Sequence, residues 1–241
     1  MKVFVTSLTD HRIDTMLASL CSKALDALHI GHTSIYDDDV NIDVCIMFNG
    51  VLTPEGQEKI NRIASHMPIL YMYDDCDLDI PENVICVSQF TNMGDLWFPI
   101  SKFACFHTYW DAPIKLQKKY AWFYGGTYKE RRDYSELSGL KGLLLAGDSR
   151  EWGAYICDRV PTIRDMDTLY HLMAMCKATL IVPDPLHDGV NTPLRFYEAV
   201  FCGMEVKIDG AWWAPKDIKA SINKNEVLRQ LKDLLNAALN Y

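Results

Sequence analysis

TLIVPDPLHDGVNTPLRFYEAVFCG, residues 179–203, holds two patterns side by side. Thr179–Val182 is a short, continuous apolar run of strand type, whereas Leu194, Tyr197 and Phe201 recur at the spacing of one helix face. Pro193 suits a first helical turn, and Asn191 or Thr192 can cap it. A strand, a polar turn and a helix within so short a stretch make a β/α unit. Units of this kind stack into a parallel sheet covered by helices.

The same alternation continues outward. Upstream lie the strand candidates Ala121–Tyr124 and Leu143–Leu145, then a helix over 165–176 with Met166, Leu169, Tyr170 and Met173 on one face. Between about Phe90 and Tyr120 the pattern lapses. Before the lapse, Lys2–Thr6, Thr33–Tyr36, Val44–Phe48, Ile69–Tyr73 and Val84–Val87 read as strands. A helix over 9–29 carries Ile13, Met16, Leu17, Leu20, Ala24 and Leu28, and a second helix has Pro54 in its first turn. Downstream, Asn225–Leu239 closes the chain with Leu228, Leu231, Leu235 and Leu239 on one side. The pattern predicts two Rossmann-like domains, 1–112 and 113–241, with the closing helix in the second. Ligands of such pairs sit in the cleft between them, outside the carboxyl ends of the strands.

Composition narrows the class. With 241 residues, 49% hydrophobic and 23% charged, the chain is neither disordered nor fibrous. Its net charge of −8 argues against nucleic acid, yet the acid is unevenly spread. Residues 1–112 hold 6 Lys+Arg against 16 Asp+Glu, while 113–241 hold 18 against 16. Lys102, Lys115, Lys118, Lys119, Arg131 and Arg132 gather near the junction, so any DNA contact is expected to be weak, salt-sensitive and confined to a strip. The N-terminus lacks a signal-peptide core and no stretch suits a membrane span, and a cytoplasmic monomer is expected. Eight scattered cysteines read as reduced and core-filling. Aromatic residues are dense from Trp97 to Tyr124, most simply as core between the domains.

Three motifs can carry chemistry. In Tyr124–Arg132 (YGGTYKERR) a Gly-Gly turn follows a strand and precedes a predicted helix. Gly125 and Gly126 allow close backbone approach to a ligand, and Thr127, Lys129, Arg131 and Arg132 add donors suited to a diphosphate. The plain alternative is a tight turn with solvated charges. Arg195 and Glu198 lie three apart on one helical face, fit for a phosphate and for ribose hydroxyls, or simply for a surface ion pair. Asp74 and Asp75 follow the strand Ile69–Tyr73, where a carboxylate can serve as general base; a cap, a metal ligand or a solvated acid are the alternatives. Asp37–Asp39 read as a solvated loop, and His107 and His187 as minor cleft candidates. No HExxH or other strong metal-ligand spacing occurs.

Together, a strand ending in YGG, a strand ending in Gly147-Asp148, the 179–203 string followed by Val206-Lys207-Ile208-Asp209, and Met47–Gly50 followed by Ile69–Asp75 resemble the two-domain GT-B glycosyltransferases. Within them the chain is similar to a shortened member of the T-even phage DNA β-glucosyltransferase family, whose members move glucose from UDP-glucose to 5-hydroxymethylcytosine in duplex DNA. The resemblance implies an α/β fold with two facing Rossmann-like domains. It makes Asp75 the catalytic base, with Asp74 as its neighbour and Asp10 as the nearest acid-base partner. Gly125, Gly126, Thr127, Lys129 and one of Arg131 or Arg132 match the donor-phosphate loop, Arg195 the phosphate-binding arginine and Glu198 the ribose-binding glutamate. A UDP-sugar is the implied donor, of glucose or a pentose such as arabinose, and hydroxymethylated DNA the implied acceptor. A divalent ion, Mg or Mn, is allowed but not required. Lys129 stands where the family has arginine, and the short loop Thr6-Ser7-Leu8 lacks glycine. Rival readings are a glycosyltransferase with a small-molecule, polysaccharide or protein acceptor, a catalytically silent nucleotide-binding module, and a flavodoxin-like structural protein.

Overall fold

The computed structural model describes residues 1–8, 11–37, 41–49, 53–73, 81, 83–88, 94–185 and 193–240. Contacts divide the chain into two units, Met1–Phe106 with Asn223–Tyr241, and His107–Ile222.

The first unit runs β1 (Lys2–Ser7), α1 (Arg12–Ala27), β2 (Gly31–Thr33), β3 (Val44–Asn49), α2 (Pro54–Ala64), β4 (Ile69–Tyr73), β5 (Val84–Ser88) and β6 (Leu96–Trp97), then a 3₁₀ turn at Ile100–Phe106. All six strands are parallel, in the order β2-β1-β3-β4-β5-β6. That order reverses between β1 and β3, as in flavodoxin-like sheets. Central strands are buried on both faces, so Val44–Phe48 and Val84–Val87 read as unbroken apolar runs rather than as alternation. Thr53 caps α2 by accepting the Gly56 N–H at 3.1 Å, with Pro54 in the first turn as expected. The strand expected at Thr33–Tyr36 lies earlier, at Gly31–Thr33, set by parallel pairing of Gly31–Thr33 with Lys2–Phe4.

The second unit contains α3 (Thr108–Asp111), β7 (Tyr120–Gly125), α4 (Ser135–Ser138), β8 (Leu143–Ala146), a 3₁₀ turn (Arg150–Ala154), β9 (Asp158–Val160), α5 (Met166–Ala174), β10 (Cys176–Ile181), α6 (Leu194–Phe201), β11 (Glu205–Ile208), β12 (Ala211–Trp213) and α7 (Pro215–Ala220). Its strand order is β12-β11-β10-β7-β8-β9, parallel except for the β11–β12 hairpin. Counted from β7, this is the 3-2-1-4-5-6 order of dinucleotide-binding sheets, and the reversal falls between β7 and β10.

The last helix, α8 (Lys224–Leu239), was expected in the second domain but groups with the first, where it packs on β3, β4 and the 3₁₀ turn. Val227, Leu231, Leu234, Leu235 and Ala238 form its buried stripe. Of the stripe that periodicity suggested, Leu231 and Leu235 are buried while Leu239 is exposed, and periodicity did not indicate which sheet the helix covers. The boundary correspondingly lies at 106/107 rather than 112/113. The aromatic belt, expected as core between domains, packs within the units: Phe103 meets Phe98 and Phe48 in the first, and Trp110 meets Tyr197 and Phe201 in the second. Among the described cysteines all are free, and all but Cys157 are buried. No helix of the described residues is long and apolar enough to cross a membrane.

Candidate functional site

In the second sheet the reversal point is built as the sequence suggested at one strand and differently at the next. β7 ends on Gly125, and Gly126 follows at φ +151°, a conformation that a side chain resists. Facing it across the end of β8, Gly147 leaves room that a Cβ would fill, only 2.6 Å from the Gly126 carbonyl oxygen. The buried Trp152 indole donates to that same carbonyl at 3.2 Å. Two chain segments are thus pressed together at the carboxyl end of β7.

Beyond the turn the expected helix does not form. Residues 130–132 make a turn in which the Arg132 N–H donates to the Lys129 carbonyl at 3.0 Å, and only the four-residue α4 follows. Competing contacts explain this. The Tyr128 ring stacks on Tyr134 at 4.8 Å and meets Trp152 edge-on at 5.2 Å, the Tyr128 N–H donates to Ser149 Oγ at 3.0 Å, and the Lys129 N–H donates to the Tyr134 hydroxyl at 3.1 Å. Side-chain and ring partners take the amides that a helix would have aimed outward. The loop's capacity for an anion therefore rests on its cations and not on a helix end.

Those cations converge. Arg131 grips Asp184 with both prongs, Nε to Oδ1 at 2.6 Å and Nη2 to Oδ2 at 2.7 Å. Arg132 adds Nε and Nη2 to Oδ2 at 3.1 and 3.0 Å, and Lys129 Nζ stands 3.7 Å from the same oxygen. The Asp184 carboxylate has no exposed surface. Both arginines meet one acid. Asp184 went unnoticed in the sequence although it follows β10 as Asp74 follows β4, and the same strand-end argument would have found it.

α6 supplies the rest. It begins at Leu194 with Pro193 as its cap residue, one position later than the expected start, while Asn191 and Thr192 lie outside the described residues. Arg195 Nη1 lies 3.3 Å from Glu198 Oε2 and 2.8 Å from Met173 Sδ, and the guanidinium sits over the Phe123 ring at 5.5 Å. Glu198 is nearly buried, with Oε1 accepting from the Tyr170 hydroxyl at 3.1 Å. Burial, and then the Glu198 charge, push the Tyr170 phenol well above its ordinary value, so it remains a donor.

Gly125, Arg132, Val182, Asp184, Pro193 and Arg195 line a pocket of about 100 Å³ at the reversal point. It is the size of a subsite and not of a whole nucleotide-sugar, for which roughly 300–1,000 Å³ is usual. Gly126 and Thr127 are exposed on the adjoining turn. Glu198 stands behind Arg195 and does not line the pocket. Asp75, Asp74, Asp10 and His187 lie outside the described residues. His107 caps α3 and stacks on Phe201 at 4.4 Å, which accounts for it structurally. No group of three metal-ligating side chains gathers among the described residues.

An all-parallel first sheet and a second sheet of dinucleotide-binding order, bearing its pocket where the order reverses, define the GT-B class of fold. A solved structure of T4 phage BGT in complex with UDP and Mn²⁺ is similar to this chain, with a TM-score of 0.64 and 15% sequence identity over 100% of this chain and 96% of that one. No protein-family model matches the chain, nor does any curated protein.

Proposed function

We propose that the chain is an inverting, UDP-sugar-dependent glycosyltransferase that acts on the hydroxymethyl group of a modified pyrimidine in phage DNA, delivering glucose or a pentose such as arabinose. The observation that carries this reading is the pocket at the β7/β10 reversal point, lined by Arg132 and Arg195 and by the Asp184 that also holds Lys129 and Arg131. A diphosphate is the ligand whose charge and size suit such a rim. The T4 protein's binding of UDP, in a chain of the same fold, supports it.

In the proposed reaction Asp75 takes the proton of the acceptor hydroxyl. The freed oxygen pair attacks the anomeric carbon from the face opposite the diphosphate. The carbon–oxygen bond to the diphosphate breaks, and its electron pair leaves with UDP. Lys129, Arg131, Arg132 and Arg195 stabilise the charge growing on the departing oxygens, an interaction that strengthens as the bond breaks and so favours the transition state. Glu198 holds the ribose, which requires it to exchange its Tyr170 or Arg195 partner for sugar hydroxyls. The target base must be flipped out of the duplex to be reached.

Mass spectrometry of hydroxymethylated DNA incubated with the protein and a panel of UDP-sugars tests the proposal. A mass gain of one hexose or pentose on the modified base is expected. UDP binding without transfer to any such DNA would defeat the acceptor assignment, and the absence of UDP binding would defeat the donor assignment.

A further inference from the structure

We propose that Asp184 is a positioning residue: a buried anion that gathers Lys129, Arg131 and Arg132 into a preformed cradle for a diphosphate. The inference rests on reading the second unit as the donor site and adds to it a residue that acts through the cations it holds.

Backbone structure gives these three side chains little help. They project from a turn and not from a helix, and Lys129 and Arg131 are 38% exposed. Long cationic side chains on such a segment repel one another and spread into solvent, and a ligand would then have to gather them at an entropic cost. Asp184 opposes both tendencies. It lies three residues beyond β10, so its backbone is anchored by a central strand of the sheet. Its carboxylate has no exposed surface and accepts four hydrogen bonds from two guanidinium groups, which fixes the plane of each. The Arg132 charge also bears on the Tyr124 phenol of β7, opposing the rise that burial imposes on it. The β7 side and the β10 side of the reversal point are thereby tied through the cations themselves.

Charge supports the same conclusion. A diphosphate complements the guanidinium-bearing lining of the pocket, and an uncharged uridine does not. A carboxylate placed merely to neutralise the turn would need one partner and some exposure. This one is buried beneath three, and it lines the pocket together with Arg132.

Calorimetry on the full chain tests the idea with UDP, uridine and inorganic pyrophosphate as probes, comparing the wild type with Asp184→Asn and Asp184→Glu. Asp184→Asn is expected to lower UDP and pyrophosphate affinity by about tenfold to a hundredfold, as loss of partners that orient a binding group does. It should change uridine affinity less than about twofold and flatten the dependence of log affinity on log salt, and Asp184→Glu should restore part of the loss. Equal losses for UDP and uridine would mean that Asp184 serves only to hold the fold. Unchanged or tighter UDP binding by Asp184→Asn would mean that the carboxylate competes with phosphate, and would likewise overturn the proposal. Wild-type protein that binds pyrophosphate but not UDP removes the nucleotide reading while leaving Asp184 to be judged on pyrophosphate. Binding of neither overturns both.

Discussion

Each unit holds a six-stranded sheet, but the two are furnished oppositely where their central strands end. In the first, β1 runs into Thr6, Ser7 and Leu8 without a glycine, and Lys59 Nζ lies 3.5 Å from Thr6 Oγ1 and 3.4 Å from the Ser7 carbonyl. A pocket of about 640 Å³ beside it is lined, among the described residues, by hydroxyls such as those of Thr6, Ser7, Ser19 and Thr33 together with His32, and by no lysine or arginine. In the second, β7 runs into Gly125 and Gly126, and the smaller pocket is rimmed with guanidinium groups. Two α/β sheets with different strand-end residues give a hydroxyl-lined surface in one unit and a cationic, backbone-close one in the other. Fold sets where ligands are received, and strand-end chemistry sets which kind. In the proposed enzyme the second unit holds the anionic donor and the acidic first unit supplies the base.

Four measurements can break or sharpen this contrast. The largest effect is expected from Asp75→Asn, which should lower transfer by about 10²- to 10⁴-fold while leaving UDP affinity near that of the wild type. Loss of UDP binding in that variant would abolish the division of labour between units. Arg195→Ala should do the reverse, weakening UDP binding, and should also destabilise the second unit by about 3 kcal/mol because the nearly buried Glu198 loses its cation. Urea unfolding and calorimetry read the two effects separately, and Glu198→Gln in the Arg195→Ala background should recover much of the stability. Gly147→Ala is expected to lower stability by about 1–3 kcal/mol, because its Cβ would meet backbone at the Gly126 carbonyl oxygen and cannot be accommodated by a rotamer change. A neutral outcome would show that the β7 and β8 ends are less tightly joined than these distances require.

The last measurement concerns alkaline pH, where burial acts on both units. Burial pushes the Cys86 and Cys176 thiols up to about 12, and raises Cys21, Cys45 and Cys202 further. Such thiols ionise in the unfolded chain from about pH 8.5 but stay protonated in the fold, so the unfolded state binds fewer protons and stability falls as pH rises above that point. Tyr170 adds to this in the second unit from about pH 10. Urea midpoints under reducing conditions should decline through pH 9–11. Tyr170→Phe, which removes one hydrogen bond worth about 1 kcal/mol, should make the decline shallower.

Much of the fold was legible because parallel strands buried on both faces leave long apolar runs. Ile69–Tyr73 was read to the residue, and Val44–Asn49 and Val84–Ser88 to within one. The edge strands β2, β6, β9 and β12 are three residues or fewer, too short to carry a period, and they were misplaced or unseen. Of the site, the motif residues Gly125, Arg132 and Arg195 do come together in one pocket. Sequence order could not reveal that Arg131 and Arg132 share a partner 53 and 52 residues away, because pairing at that distance depends on β7 and β10 lying side by side.

The sequence by itself determined the α/β class, the alternation of its elements and the residue types that could meet a diphosphate, since periodicity and local chemistry act over a few residues. Only the tertiary structure decided which sheet the last helix covers, that the Gly-Gly turn opens no helix, and that Asp184 stands beneath three cations. Each of those outcomes is settled by contacts between segments far apart in the chain, where an aromatic cluster, a buried stripe or a buried charge outweighs local preference.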